Sequence, residues 1–347
     1  VATITVFMLP IRLDGNKYIE LLVASLENRA ISVKAFDKRT FYKMKRGDVL
    51  HLHWPSFNYS GNNGMKTLLK SSAFVLLLTY LRIRGIKIVW TVHNVWPHQG
   101  GPSRFNRLMR TFLCAFCSRI ILMGASVKEE LVRNFKATEK KMLIVPHGHY
   151  KEAYPSFGLD VRERFGIPKN AYLFAFIGQI SPYKGIDRLL GSFEKLSDEG
   201  VHLLIAGKPS QDLEFSIRTA AERDMRVHLS LSFVDDSEVA DYVLSSDCLV
   251  LPYRNITTSG TAILALTYSK PVIAPDIGLL REYTTPETSI LYNPSEPDGL
   301  TNSMAEMMRR KTMFDNKRPY ERKLEELDWT KVSELLLNAY GRQAKAE

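Results

Sequence analysis

Short runs of β-branched and aromatic residues, each bounded by turn residues and separated from the next by a stretch of helical periodicity, recur along most of this chain. Runs that are apolar on both faces have to be buried between helices, so the alternation commits the chain to parallel sheets covered on both sides, an α/β architecture. Strands are predicted over 2–8, 31–36, 48–53, 87–93, 119–123 and 142–145, with helices near 17–28, 65–84, 103–117 and 126–134. The segment from Lys151 to Gly158 then carries turn residues and little periodicity, which predicts a linker. The alternation restarts with strands over 172–177, 202–206, 227–230, 248–251, 272–274 and 289–292 and helices near 186–196, 213–223, 237–244, 259–267 and 299–309. A final helix runs from Trp329 to about 342. The expectation is two doubly wound domains, 1–152 and 160–325, a division that 347 residues accommodate comfortably.

Composition narrows the class. With 45% hydrophobic and 24% charged residues the chain is globular, neither disordered nor fibrous. Its 3 cysteines are too few for a disulfide framework; Cys114 and Cys117 share the apolar face of a predicted helix, which fits a reducing compartment. Residues 2–8 alternate like a first strand rather than a signal peptide, and the longest apolar run, 73–81, is too short to span a bilayer. The charge is lopsided: residues 1–150 carry 23 Lys and Arg against 8 Asp and Glu, and the remainder 24 against 29. Lys66, Lys70, Arg82, Arg84 and Lys87 flank the apolar stretch, and Arg104, Arg107 and Arg110 recur among Phe105, Leu108, Met109 and Phe112. Such a surface suits an anionic membrane, or is simply a solvated helix face. No finger or RNP-like motif points to nucleic acid.

Ligands of open α/β sheets bind beyond the carboxyl ends of the strands, so the residues there are the ones to read. Phe176-Ile177-Gly178-Gln179-Ile180-Ser181-Pro182-Tyr183-Lys184-Gly185 is a strand entering a turn that closes on Lys-Gly before a helix. Thr257-Thr258-Ser259-Gly260-Thr261 opens another helix after the strand ending at Leu251. Free backbone N–H groups beside a cation make a phosphate site, and two such turns suggest a diphosphate held between them. Ser259 and its neighbours would equally serve as a helix N-cap. Gly207 and Arg254 lie at further strand ends of the same domain.

In the first domain, Thr91-Val92-His93-Asn94-Val95-Trp96-Pro97-His98 ends a buried strand, and His51, His53 and Trp54 end its neighbour, with the two histidines on one side of the strand. His93 is a candidate general base or sugar ligand, since imidazole titrates near neutrality, or a structural histidine. Asp14, ahead of Gly15, and Asp276 are alternative bases. Four histidines at neighbouring strand ends raise the question of zinc, but cysteine and aspartate partners are lacking and there is no Asp-x-Asp motif.

These pieces, in this order, resemble the GT-B glycosyltransferases, in particular those similar to glycosyltransferase family 4. The turn Gly178 to Ile186, Leu204-Ile205-Ala206-Gly207, Ser246-Asp247 to Pro252, Lys270-Pro271-Val272-Ile273-Ala274 with Gly278 and Glu282, Val145-Pro146-His147-Gly148-His149 and the terminal Trp329 helix carry the likeness. It implies two Rossmann-like domains facing across a cleft that closes around the substrates. The first, joined by the returning helix over 329–347, would bind the acceptor, and the second a nucleoside-diphosphate sugar. It further implies hexose transfer without a metal or permanent cofactor, at the cytoplasmic face of the membrane, to a lipid-linked or polysaccharide acceptor, with a lean towards GDP-mannose. Lys184 would hold the diphosphate with the amides of Gly185, Ser259 and Gly260; Gly178, Gln179, Gly207, Arg254, Thr258 and Thr261 would complete the pocket, and Glu282 would contact sugar or ribose. Two departures stand out: the family's paired glutamates would fall at Ile256 and Leu264, and Gln179 replaces the usual arginine. Those departures leave room for a non-catalytic paralogue that binds glycan or partners an active transferase.

Overall fold

The structure, a computed structural model, describes residues 4–13, 15–37, 39–97 and 100–341. The chain divides into two compact units, Val1–Gly148 with Leu327–Glu347, and His149–Glu326. In the first, β1 (Thr5–Leu9), β2 (Ser32–Ala35), β3 (Val49–Leu52), β4 (Lys87–Val92), β5 (Arg119–Leu122) and β6 (Met142–Ile144) form one parallel sheet in the order β2-β1-β3-β4-β5-β6. Burial explains the composition of each strand: β3 is covered on both faces and continuously buried, whereas the edge strand β2 alternates exposed and half-buried residues and carries a lysine.

In the second unit, β7 (Tyr172–Ile177), β8 (Val201–Ala206), β9 (Val227–Ser230), β10 (Cys248–Val250), β11 (Val272–Pro275) and β12 (Ser289–Tyr292) are again all parallel, in the order β12-β11-β10-β7-β8-β9. Chain order reverses between β7 and β10. Such a reversal, at the carboxyl ends of the strands, is where open α/β sheets bind their ligands. In the first sheet the same reversal lies between β1 and β3.

The last helix, Trp329–Tyr340, is capped by Asp328, which accepts from Thr330 N at 2.8 Å, and packs in the first unit although it follows the second in sequence. Tyr340 reaches His51, the Tyr340 carbonyl accepts from Lys87 Nζ at 2.8 Å, and the Trp329 ring lies so close to Gly148 that a Cβ there would sit 2.3 Å from it. The segment 151–158 belongs with the second unit and is ordered by one carboxylate. Asp241 accepts from the backbone of Phe157, Gly158 and Leu159 at 3.2 to 3.3 Å and from the Ser156 hydroxyl. Burial opposes the charge of Asp241, but these donors outweigh it and hold its pKa below the usual range. One helix the periodicity did not foresee, Arg318–Glu326, packs Tyr320 and Leu324 on Leu266. Cys114, Cys117 and Cys248 are buried free thiols.

Candidate functional site

In the second unit the two turns singled out in the sequence meet at the β7/β10 reversal. Gly185 has φ +69° and lies against the backbone that leaves β10: a Cβ there would stand 2.1 Å from the Pro252 carbonyl oxygen. Arg254 N donates to Tyr183 O at 2.8 Å, so the turn after β7 and the turn after β10 are stitched together. Gly207, at φ +151°, admits the Gly178 carbonyl where a Cβ would be 1.9 Å away, and Ile180 N donates to Lys208 O at 3.0 Å. Three strand ends thus converge with no side chain between their backbones.

Lys184 is held over the fully buried Tyr253, its Nζ 3.9 Å from the ring centroid. Burial disfavours the ammonium, but the Tyr253 phenol, as a hydrogen-bond partner and a source of negative charge, outweighs it and raises the lysine pKa. Burial would likewise raise the phenol; Lys184, Ser259 and Thr261 outweigh that and lower it. Lys184 is a fixed cation. Ser259 caps the helix Gly260–Thr267, accepting from Ala262 N at 3.2 Å, and donates to Tyr253 Oη at 3.3 Å, while Thr261 Oγ1 donates to Ile177 O at 3.4 Å. The cap reading and the ligand reading therefore hold on the same residues, because the first amides of that helix still lack intrahelical partners. Gly260 is pinned by Tyr150, whose hydroxyl lies 2.9 Å from where a Cβ would sit.

The remaining sequence candidates fall around this core with different access. Gln179 and Glu282 are exposed and Thr258 is half-buried. Glu282 follows Gly278, which has φ +54° and packs against the Ile256 carbonyl. Arg254 is exposed and ion-paired with Asp187, so an incoming anion has to compete for it. Asp276, considered as a base, accepts two hydrogen bonds of 2.6 Å from Arg281. The positions of the absent glutamates are apolar, with Leu264 buried in its helix and Ile256 half-buried. Asp14 and His98 lie outside the described residues.

The first unit carries a histidine array. His51 is bonded on both nitrogens, Nδ1 to Tyr340 Oη at 2.8 Å and Nε2 to Thr91 Oγ1 at 2.7 Å; burial holds its pKa at about 3. His53 Nδ1 meets His93 Nε2 at 3.0 Å, and burial followed by the neighbouring histidines keeps both far below the usual imidazole range. His93 is stacked under Trp54 at 4.0 Å, with Tyr18 edge-on at 5.3 Å. His147 bonds the Gly148 carbonyl at 2.7 Å and burial lowers it to about 4. Among the described residues no group of histidine, cysteine and carboxylate side chains is placed to hold a metal ion.

His53 is the member that reaches a cavity. A hollow of about 550 Å³ is lined by His53, Trp54, Asn94, Lys66, Lys70 and Arg110 among others, and His53 Nε2 is buried without a hydrogen-bond partner. His93, chosen from the sequence, is 6% exposed against 1% for His53, and the Trp54 ring packs on both imidazoles. The expected arginine stripe is also corrected. Three-residue spacing turns each successive side chain by about 60° around a helix, so Arg104 and Arg107 are exposed while Arg110 is buried. Of the cations expected to rim an amphipathic surface, Arg82 donates to Phe116 O, Arg84 to Met44 O and Lys87 to Tyr340 O, each within 2.9 Å. No helix among the described residues is long and apolar enough to cross a membrane.

Comparison with known proteins gives a consistent picture. The family described as Glycosyl transferases group 1 matches residues 159–324, and Glycosyltransferase Family 4 matches 69–150. A GDP-mannose:glycolipid 4-beta-D-mannosyltransferase of Xanthomonas campestris pv. campestris is 29% identical over 332 residues, covering 94% of this chain and 88% of its own. A D-inositol 3-phosphate glycosyltransferase of Xylanimonas cellulosilytica is 26% identical over 62% of this chain and 55% of its own. The crystal structure of Anabaena HepE in complex with UDP superposes with a TM-score of 0.74 over 98% of this chain and 99% of that one, at 14% identity.

Proposed function

We propose that this chain, which belongs to the GT-B glycosyltransferases of family 4 type, transfers a mannosyl unit from GDP-mannose to the saccharide of a lipid-linked acceptor. The observation that carries the reading is the convergence at the β7/β10 reversal, where Lys184 is fixed as a cation beside a helix N-terminus and three backbones approach without side chains. A leaving diphosphate needs such neutralisation as the sugar–oxygen bond lengthens. Lys184 supplies the charge and the amides of Ser259 and Gly260 supply dipoles, whereas the Gly185 amide already donates to Pro182 O at 3.3 Å; Arg254 joins by exchanging Asp187 for phosphate. The choice of GDP-mannose and of a lipid-linked acceptor follows the Xanthomonas relative, which matches nearly the whole chain.

A β-linked product from an α-linked sugar nucleotide requires inversion, and inversion requires a base. The acceptor hydroxyl attacks C1 as the C1–O bond to the diphosphate breaks, the electron pair leaves with the diphosphate oxygen, and the hydroxyl proton passes to a base. His53 Nε2 is assigned that role. The atom is buried without a hydrogen-bond partner, its residue lines the cavity of the first unit, and burial keeps the imidazole neutral. His93, at 3.0 Å from the other nitrogen, fixes the ring and its tautomer.

The exposed face of the helix Gly64–Ile83 gives the proposed membrane contact. Met65, Leu68, Leu69, Leu76 and Ile83 are each more than 60% exposed, with Lys66 and Lys70 among them. The donor half of the proposal is tested by thermal shift against GDP, UDP, CDP and ADP. A ligand at 100 times its dissociation constant adds about 2.7 kcal/mol to stability. GDP is expected to shift the transition and to lose its effect in Lys184→Ala; no shift with GDP overturns the donor assignment.

A further inference from the structure

Arg110 is the most unusual charge in the molecule. It is 3% exposed, its Nε is buried without a hydrogen-bond partner, and among the described residues no acidic side chain lines the cavity it faces. The indole of Trp90 lies 4.8 Å from the guanidinium carbon and occupies one face of the group. That contact leaves the N–H edge, which is what a carboxylate or phosphate engages in a bidentate pair. Burying a guanidinium without its counter-ion is unfavourable, and the Trp90 ring offsets only part of that cost. Three more buried polar atoms nearby lack partners, Tyr59 Oη, Trp90 Nε1 and His53 Nε2, and His53 lines the same cavity. Lys66 and Lys70, at the start of the helix Gly64–Ile83, add positive charge to the lining.

We infer that this cavity is an oxyanion subsite, in which Arg110 selects an acceptor bearing a carboxylate or phosphate group. The inference rests on the first unit being the acceptor-binding one. Two sources carry that chemistry: a uronic acid in the acceptor saccharide, or the phosphate that joins saccharide to lipid. In either case the anion completes a charge pair that the described residues leave open, so a neutral acceptor of the same shape is discriminated against by leaving Arg110 without a counter-ion.

The full chain is titrated calorimetrically with two matched pairs, octyl β-D-glucuronide against octyl β-D-glucoside, and geranyl diphosphate against geraniol. Wild type is expected to bind the charged member of one pair at least about tenfold more tightly, the range of a charged hydrogen-bonded contact. Preference within the sugar pair identifies a uronic acid, and preference within the isoprenoid pair identifies the lipid phosphate. Arg110→Met, which keeps the stem over Trp90, should abolish the preference with an unchanged or higher melting temperature. Arg110→Lys keeps the charge without the fork and should retain a reduced preference. Equal binding within both pairs, a preference that survives in Arg110→Met, or a loss of melting temperature with the preference intact overturns the inference. Mannose transfer to a neutral acceptor without any anion preference would remove the subsite and leave the proposed reaction standing; anion preference without transfer from GDP-mannose would do the reverse.

Discussion

Replacing Gly185 with alanine should damage the second unit more than its small size suggests. An alanine held at φ +69° pays roughly 1–2 kcal/mol for the left-handed conformation. Its Cβ would also stand 2.1 Å from the Pro252 oxygen, well inside the 3.0 Å that real Cβ atoms essentially never breach, and the obstacle is backbone that cannot rotate away. Relief requires the two turns to separate, which breaks the 2.8 Å bond from Arg254 N to Tyr183 O and draws Lys184 off the Tyr253 ring. Strain, one hydrogen bond and one desolvated cation–ring contact together come to about 4 kcal/mol. Two controls in the same unit divide this sum. Gly166→Ala has φ +65° and open space, so it carries the conformational cost alone; Gly191→Ala lies in the helix Ile186–Phe193 with nothing within 4 Å and should stabilise by up to about 1 kcal/mol. Urea denaturation of the three variants, read alongside GDP binding, gives the comparison. If Gly185→Ala is no less stable than Gly166→Ala and binds GDP normally, the two turns do not form a rigid cradle.

Other consequences are equally direct. Asp187→Asn releases Arg254 from its exposed ion pair, so nucleotide affinity should rise a few-fold at low salt and the gain should shrink at high salt. His53→Ala should lower kcat by about two to four orders of magnitude while GDP binding is kept, whereas His93→Ala should lower it less. Burial lowers His51 to about 3 and His147 to about 4 in the folded chain, from the ordinary 6.5, so the unfolded chain binds the extra protons between those values. Stability of the first unit should therefore be full above about pH 6.5 and fall by about 1.4 kcal/mol per pH unit per histidine as the pH drops, in acid titrations monitored by circular dichroism. Tyr340→Phe removes the partner of His51 Nδ1 and should cost about 1–3 kcal/mol by urea denaturation, the penalty for a buried polar atom left alone.

The architecture was legible because parallel strands buried on both faces leave an unmistakable apolar signature; β7, β9 and β12 begin and end at the predicted residues. The paired turns were legible for a related reason, since Gly185 and Gly207 mark places where backbone meets backbone. The partners of those turns were not. Tyr253 reads in sequence as one more aromatic after a strand, and only its position beneath Lys184 reveals that it fixes the cation. Arg110 was read as part of a surface stripe, although the helical rotation that buries it was computable from its spacing; what could not be known was which side of the helix met the sheet. What singles out His53 is that its Nε2 lacks a hydrogen-bond partner and its residue lines the hollow, and neither property is written in the strand-end pattern it shares with His93. The helix Arg318–Glu326 escaped notice because it buries little beyond Pro319, Tyr320 and Leu324 in an otherwise charged segment.

The central claim, mannosyl transfer with inversion, is tested most directly by incubating the full chain with GDP-mannose labelled at C1 and a lipid-linked saccharide acceptor, then reading the one-bond carbon–proton coupling at the new anomeric centre. A β-mannosidic linkage formed together with an equivalent of GDP is the predicted result. An α-linkage would contradict the single displacement and the assignment of His53, and release of free mannose without a glycosylated acceptor would contradict transfer itself.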